Sequence, residues 1–492
     1  MTPPVAARFQ VAYTTVALGG IGLLMMSPVD DPDLWWLLRS GRYMVETWSF
    51  PTTDPFSASA AGAPWVNHAW GFELILYGVY RLAGPAGFIL MQALFAVLTF
   101  GLLGRLLRRE GLDLGWALFL VGLGALATRG FWAPRPQLVT YLFLALFWAV
   151  LRDYQDGRAD RLTWLPLLTL VWVNLHGGFM VGPALIGLCL AAEVAERAFQ
   201  GAALAPSRRG LARLAGVGVA CGLAAFVNPF HYRAVLFPLE VMGDRFAQSM
   251  IIEWASPPFQ HPQAMLLEGL YLLALVLFLW TPRPPGWGDL AVLVVFVHLA
   301  LQSRRNVPLL VILLIPILGR LLADSLAHAP GPTRLVDWVR PRQGAAVAAM
   351  ALVPVAAWGT LPLRPIGELI PRFGMADVFP VGAAEFLAHE RRAGALFNDY
   401  QWGGYLIWRL FPQYRVWVDG RAAVYGPRRL AEHAEVDEVR PRWRQTLERL
   451  GVGLALIRAR STLATALRAS PDWEVLYEDH LAIVFAKRGT SP

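Results

Sequence analysis

Apolar runs recur along most of the chain, at about 11–24, 86–104, 114–128, 137–151, 162–175, 178–195, 211–227, 264–281, 287–302, 307–322 and 345–361. Several fall short of the roughly 20 residues of a straight bilayer crossing, and Gly or Pro interrupts many of them. The pattern predicts a polytopic α-helical membrane protein of about 11 spans. The stretch 65–82 carries Asn67, His68, Glu73 and Arg81 and reads as a helix lying in the interface, not a crossing. From about Ala383 short strands are predicted at Ala395–Asn398, Tyr414–Val418, Leu454–Arg458, Trp473–Tyr477 and Ala482–Ala486. Helices fall between them, near Gly404–Leu410, Gly426–Glu435, Arg440–Leu450 and Thr462–Ser470. That alternation argues for a small C-terminal α/β soluble domain whose last two strands form a hairpin.

Basic residues fix the expected orientation. If 65–82 does not cross, alternation from a cytoplasmic N-terminus puts four clusters inside: Arg105/Arg108/Arg109, Arg152/Arg158/Arg161, Arg197/Arg208/Arg209/Arg213 and Arg334/Arg340/Arg342. If it does cross, nearly all of them flip outward. The first reading makes 1–361 a transmembrane domain with a first outer loop at 28–85, and 362–492 an outward, periplasmic domain. The apolar run after Arg8 lacks a small-residue cleavage signal before Asp30 and reads as an uncleaved first span. The expected location is a bacterial inner membrane.

Composition agrees. Of 492 residues 56% are hydrophobic and only 16% charged, against the roughly 25% charged that wets a soluble domain. The net charge of +8 is gathered in short clusters between apolar runs, which argues against a nucleic-acid partner. Cys189 and Cys221 both lie in apolar stretches and read as small core residues. No G-x-x-x-x-G-K-[ST] loop or dinucleotide fingerprint occurs, so nucleotide-driven chemistry is unsupported.

The outward junctions hold the unusual polar residues: RGFWAPRPQ (Arg129 to Gln137), NLHGG (from Asn174), NPFH (from Asn228), EWASP (from Glu253) and QSRRN (from Gln302). Polar groups at span ends are costly unless they line a cavity or reach headgroups, so five on one side suggest a polar chamber at the outer leaflet. Ordinary helix capping is the competing explanation. Above them the first outer loop opens Asp30-Asp31-Pro32-Asp33-Leu34-Trp35-Trp36. Three carboxylates in four residues suit a general base or a metal ligand; the plainer alternative is an acidic turn with Asp33 as helix N-cap.

An acidic first outer loop after span one, juxtamembrane helices and many later spans resemble the GT-C class of integral-membrane glycosyltransferases. The strings DPDLWW, SFPTTDPFS, PWVNHAW, RPQLVTYL, NLHGGF and NDYQWGGYLIW are similar to those of a bacterial branch of that class, over about residues 28 to 485. The resemblance implies sugar transfer from a polyprenyl-phosphate-linked donor to an envelope acceptor (glycan, lipid or protein) at the outer face. It gives the loop carboxylate, Asp33 or Asp31, the role of general base. The branch often has His where this chain has Leu37.

Arginine is the fitting partner for the donor phosphate. Arg129, Arg135, Arg304 and Arg305 stand on the expected outer side against the positive-inside trend, and call for an anion: the donor phosphate, lipid headgroups, or the carboxylates Asp31, Asp33 and Glu253. Gln137, Asn174, Asn228 and Asn306 suit either sugar hydroxyls or broken helix ends. His68, His176 and His231 have no recognised ligand spacing, so no metal site is assigned, although a divalent ion remains compatible. In the terminal domain Asp399, Tyr400, Asp419 and Arg421 follow predicted strands, where α/β sheets place ligand sites. The competing reading there is turn chemistry at Gly-Gly and Asp-Gly, with Arg421 paired to Asp399. A catalytically inactive scaffold that binds a lipid-linked glycan or an envelope partner is the alternative function. A transporter would need mid-span charges, which are not evident.

Overall fold

The computed structural model describes residues 3–200, 208–243, 248, 252–282, 285–328, 375–390, 392 and 395–489. The predicted span at 345–361 and the cluster Arg334/Arg340/Arg342 lie outside the described residues. Residues 3–27, 90–238 and 252–328 form one compact unit; residues 28–89, 239–243 and 375–489 form a second.

In the first unit every apolar run up to residue 322 is a helix. These are α1 (Pro3–Met25), the later limb of α3 (Trp70–Arg109), α4 (Leu114–Thr128), α5 (Gln137–Gln155), α6 (Trp164–Val173), α7 (Val181–Gln200), α8 (Arg208–Ala224), α10 (Pro262–Trp280), α11 (Trp287–Gln302) and α12 (Val307–Ala327), with the short α9 (Tyr232–Gly243) following α8. Among the described residues five helices are long and apolar enough to cross a membrane, and Gln10–Met25, Trp164–Val173 and Trp287–Gln302 are shorter apolar helices. α12 is apolar all round and buried without a break from Val307 to Gly319, as expected of a helix with neighbours on every side. It packs against α4, α5, α10 and α11. Elsewhere Leu98, Leu167, Leu223, Leu275 and Val294 are exposed, the surface a bilayer would cover.

The ends of these helices differ in chemistry. At one end a network of ion pairs ties four helices: Arg152 to Asp289 at 3.0 Å, Arg109 to Asp153 at 3.1 Å, and Arg320 to Asp156 at 3.1 Å and Glu110 at 3.4 Å. Among the described residues this end carries the three basic clusters Arg105/Arg108/Arg109, Arg152/Arg158/Arg161 and Arg197/Arg208/Arg209/Arg213. α5 runs from it for 19 residues, about 28 Å, to the opposite end at Gln137.

The second unit begins with α2 (Asp33–Thr47), whose apolar residues Leu34, Leu37, Leu38 and Met44 recur at helical spacing and are all buried. A loop then leads to the first limb of α3, which starts at Trp70 and ends where Gly84 leaves the helical region (φ 58, ψ −151) ahead of Pro85. The terminal sheet has the order β1-β2-β4-β3, with β1 (Ala395–Asn398), β2 (Val452–Arg458), β3 (Trp473–Glu478) and β4 (Ala482–Lys487). β1 and β2 are parallel, whereas β4 pairs antiparallel with both β2 and β3. β2 and β4 are buried almost throughout, which is why they read as continuous apolar runs. The helices α13 (Val381–His389), α14 (Gly403–Leu410), α15 (Ala422–Asp437), α16 (Trp443–Arg449) and α17 (Thr462–Arg468) complete the domain.

One predicted strand is corrected. Tyr414–Val418 forms no ladder; only Val416 bridges, to Leu396 and to Ser57. The rest of the segment is held by the buried Asn398 side chain, which accepts from the Trp417 amide at 2.7 Å and donates to the Val418 carbonyl at 2.9 Å.

His433 on α15 is buried, stacked on Phe397 with centroids 4.9 Å apart, its Nε2 2.9 Å from the Asn398 carbonyl. Burial lowers its pKa below the ordinary 6.5, with the Asn398 carbonyl opposing, while burial raises its charged neighbour Asp437. Below about pH 6.5 the unfolded chain therefore takes up a proton at this position more readily than the folded one. The stability this histidine confers is complete above that pH and drains away as the pH falls. Hydrogen exchange of β1 and β2 between about pH 7.5 and pH 5.5 should show faster opening at the acid end, with a shallower slope in His433→Gln. Identical slopes in both proteins would exclude the histidine as the cause.

Candidate functional site

In the second unit the acidic loop is built into the terminal domain. Asp33 is the first residue of α2, and Pro32 stands at the N-cap position without a side-chain cap. The capping role expected of Asp33 falls instead to Asp31, whose Oδ1 accepts from the Asp33 amide at 2.9 Å. Asp31 is buried, and Asp33 is half-buried with its Oδ1 accepting from Trp36 Nε1 at 3.0 Å. The branch's frequent histidine position, Leu37, is packed in the core.

The glycines of the two distinctive C-terminal strings permit close approach. A Cβ on Gly420 would overlap the Asp33 carboxylate, one on Gly404 the Pro32 carbonyl, and one on Gly403 the Val418 carbonyl. The turn explanation for Gly403-Gly404 is thereby corrected: both are helical or at a helix start, Gly404 letting α14 lie against α2 and Gly403 letting it approach Val418 and Asp419.

Arg421 does not pair with Asp399, contrary to the expectation. Its Nε meets Asp419 Oδ1 at 2.8 Å, its Nη2 meets Asp419 Oδ2 at 2.6 Å, and its Nη1 reaches Asp54 at 2.7 Å. The guanidinium sits against Trp65 (4.7 Å to the centroid) and Phe56 (5.2 Å). All three charged groups are buried. Burial alone would lower the proton affinity of Arg421, but Asp419, with Asp54 behind it, reverses this and holds the group charged. Tyr425 donates to Asp419; burial and then the Asp419 charge push its phenol well up, so it stays a donor. Asp54 also accepts from the Phe56 amide at 3.0 Å and from Ser57. Ala58 N donates to the Val416 carbonyl at 2.8 Å and Ser59 to the Trp417 carbonyl. The strings PTTDPFS, PW and DGR thus close into one clasp between the first loop and the terminal domain.

Asp399 is spent differently, accepting from the Gln401 amide at 2.9 Å and pairing with Arg458 at 2.7 Å; Tyr400 lies beside His433. His68 is half-buried in the loop between the clasp and α3. Nearby, Glu73 is fully buried, with Oε2 accepting from Asn67 at 2.7 Å and from Ser40 at 2.5 Å.

In the first unit the polar junctions meet at the end of the helices opposite the ion network. Arg135 pairs with Glu253 at 2.8 Å, Ser303 Oγ donates to the Glu253 carbonyl at 3.0 Å, and the Arg304 amide donates to the Ala255 carbonyl at 3.0 Å. Arg305 lies 5.1 Å over the Trp254 ring. Arg129 and Arg304 are half-buried, and no carboxylate among the described residues pairs with either. Gln137 opens α5. One turn on, Thr140 joins His176 Nδ1 at 2.6 Å and Trp172 Nε1 at 2.9 Å.

The three asparagines bond backbone at helix ends. Asn174 donates to the Leu170 and Val227 carbonyls at 2.9 Å, Asn228 to the Ala225 carbonyl at 2.9 Å, and Asn306 to the Leu299 carbonyl at 3.1 Å. These contacts are what broken helices need. His231 is exposed with a left-handed backbone (φ 49), and among the described residues no three His, Cys, Asp or Glu gather as a metal site would require.

Sequence reasoning missed Asp54, Asn398 and Glu73. Their signals were local: Asp54-Pro55 before an apolar residue, an Asn ending a strand, and a lone Glu in an apolar helix.

No protein-family model matches the sequence, and no curated protein matches it. Solved structures match it by fold. The archaeal oligosaccharyltransferase AglB from Archaeoglobus fulgidus, in complex with an inhibitory peptide and a dolichol-phosphate, aligns with a TM-score of 0.59 at 11% identity. That alignment covers 98% of this chain and 74% of AglB. ArnT from Cupriavidus metallidurans, bound to undecaprenyl phosphate, aligns with a TM-score of 0.55 at 14% identity over 100% of this chain and 99% of its own. The likeness is one of fold: the chain is a polytopic helical membrane protein of GT-C architecture with a small C-terminal sheet domain.

Proposed function

We propose that this chain moves a sugar from a polyprenyl-phosphate-linked donor to an envelope acceptor at the outer face of a bacterial inner membrane. Asp33 acts as general base toward the acceptor, and Asp31 holds the helix start that presents it. Arg129 and Arg304, with Arg135 and Arg305 beside them, receive the donor phosphate as the sugar–phosphate bond breaks. The terminal domain packs against the first loop and supports it.

The observation that carries this reading is an excess of positive charge. The junction strings RGFWAPRPQ, EWASP and QSRRN contain four arginines and one carboxylate, Glu253, which Arg135 engages. Half-buried guanidinium groups in that position favour a bidentate anion such as a phosphate. The GT-C architecture makes a lipid phosphate the natural one, given that ArnT and AglB were solved with polyprenyl and dolichol phosphates.

The test is binding of undecaprenyl phosphate to the purified full chain, compared with Arg129→Gln/Arg304→Gln. A charge-assisted hydrogen bond is worth about 1.5–3 kcal/mol, so losing even one should weaken binding roughly tenfold or more. Equal affinities for the two proteins would remove the arginines from the donor site. Tight binding with no turnover by the wild type, across donors and acceptors, would favour the inactive scaffold.

A further inference from the structure

A second feature of the first unit lies near the opposite end of its helices. α1, α3 and α4 enclose an apolar groove of about 450 Å³, lined by residues that include Leu18, Val97, Gly101, Ala117 and Val121, with Arg105 and Arg108 also on its wall. Its volume falls in the range of small-molecule pockets. Along α3 the lining runs from Val97 to Arg108, eleven helical rises or about 16 Å, close to half of the roughly 30 Å hydrocarbon core. Arg108 and Arg105 mark the end nearest the ion network.

The charges at that end are distinctive. Arg109 is committed to Asp153. Arg105 is exposed, and no carboxylate among the described residues pairs with it. Arg108 is exposed and donates through Nη1 to the Leu112 carbonyl at 2.6 Å. Two cations thus border an apolar channel one leaflet deep, in a cluster whose sequence context is cytoplasmic.

We infer that this groove holds a glycerophospholipid with an anionic headgroup, its phosphate against Arg105 and Arg108 and one acyl chain lying along Gly101 and Gly104. Basic pockets between membrane helices on the cytoplasmic side bind such headgroups. The length favours a leaflet lipid over a polyprenyl carrier, whose longer chain would overrun the groove. A Cβ built on Gly101 would stand in ordinary contact with Leu18 at 3.5 Å and one on Gly104 with Val121 at 3.7 Å, so the two glycines line the groove without putting a side chain into it. The site is independent of the sugar-transfer reading.

Native mass spectrometry of the detergent-purified full chain, offered phosphatidylglycerol and phosphatidylcholine with matched acyl chains, tests it. The wild type should retain phosphatidylglycerol in preference by roughly tenfold or more, since each arginine near a headgroup contributes about fivefold. Arg105→Gln, at an exposed position that does not threaten folding, should cut the preference about fivefold; Arg105→Gln/Arg108→Gln should abolish it. Gly104→Leu, which fills the groove, should lose both lipids while its melting temperature confirms an intact fold. Equal retention of the two lipids by the wild type, or an unchanged preference in the double variant, overturns the assignment. Displacement of phosphatidylglycerol by equimolar undecaprenyl phosphate overturns it too, in favour of the carrier.

Discussion

Asp33→Asn is expected to reduce sugar transfer by about 100- to 10,000-fold, the span a general base contributes, while leaving the protein folded. The asparagine keeps an oxygen where Trp36 Nε1 now donates to Asp33 Oδ1 at 3.0 Å, so the start of α2 retains its contact and only the proton acceptor is lost. Asp31→Asn should do less, because its amide oxygen still accepts from the Asp33 backbone, the bond that in wild type spans 2.9 Å. Gly420→Ala should mimic the loss by a different route: the added methyl meets the Asp33 carboxylate and must push it aside. Its signature is a fall in kcat with KM for the donor little changed, since no donor contact is altered. Single-turnover assays on membranes, with tryptophan fluorescence as the check on folding, read all three. Wild-type turnover by Asp33→Asn would remove the carboxylate from the chemistry.

The second large effect is structural. Arg421→Gln should destabilise the second unit by about 3–5 kcal/mol, because it leaves Asp54 and Asp419 buried without their shared cation. Arg421→Lys should fall between, as an ammonium cannot meet both carboxylates with a planar fork. Hydrogen exchange locates the damage: loop residues 52–65 and the segment 416–421 should lose protection together, because the clasp joins them, while α5 and α12 keep theirs. An Arg421→Gln protein with unchanged protection in both segments would show that packing of Phe56 and Trp65 suffices. Removing the charges in concert, as Asp54→Asn with Asp419→Asn and Arg421→Met, should cost less than Arg421→Gln alone, since no ion is then stranded.

How far the sequence could be read follows from what each signal is made of. Helix 287–302 was bounded to the residue and 114–128 likewise, because lipid-facing helices must satisfy their backbone internally and so are written as unbroken apolar runs between polar ends. β2 and β4 were legible for a related reason: strands buried on both faces are short and uniformly apolar. Tyr414–Val418 misled because an apolar, aromatic segment can be held by a side chain, here Asn398, as well as by a ladder. Glu253 is one of several anions the sequence offers the four outward arginines, and only the structure selects Arg135 as its partner. Arg421 was named with the wrong partner. Its true partner Asp54 is 367 positions away, and nothing local to either residue specifies the other.

By itself the sequence determined where helices and strands run and which ends carry positive charge, since these depend on contiguous hydrophobicity and on local composition. Only the tertiary structure decided that Gly404 and Gly420 exist to admit Pro32 and Asp33, and that Asp54, Arg421 and Asp419 share one buried charge system. Close approach and ion pairing are properties of distance in space, and residues far apart in sequence acquire them only once the chain has packed.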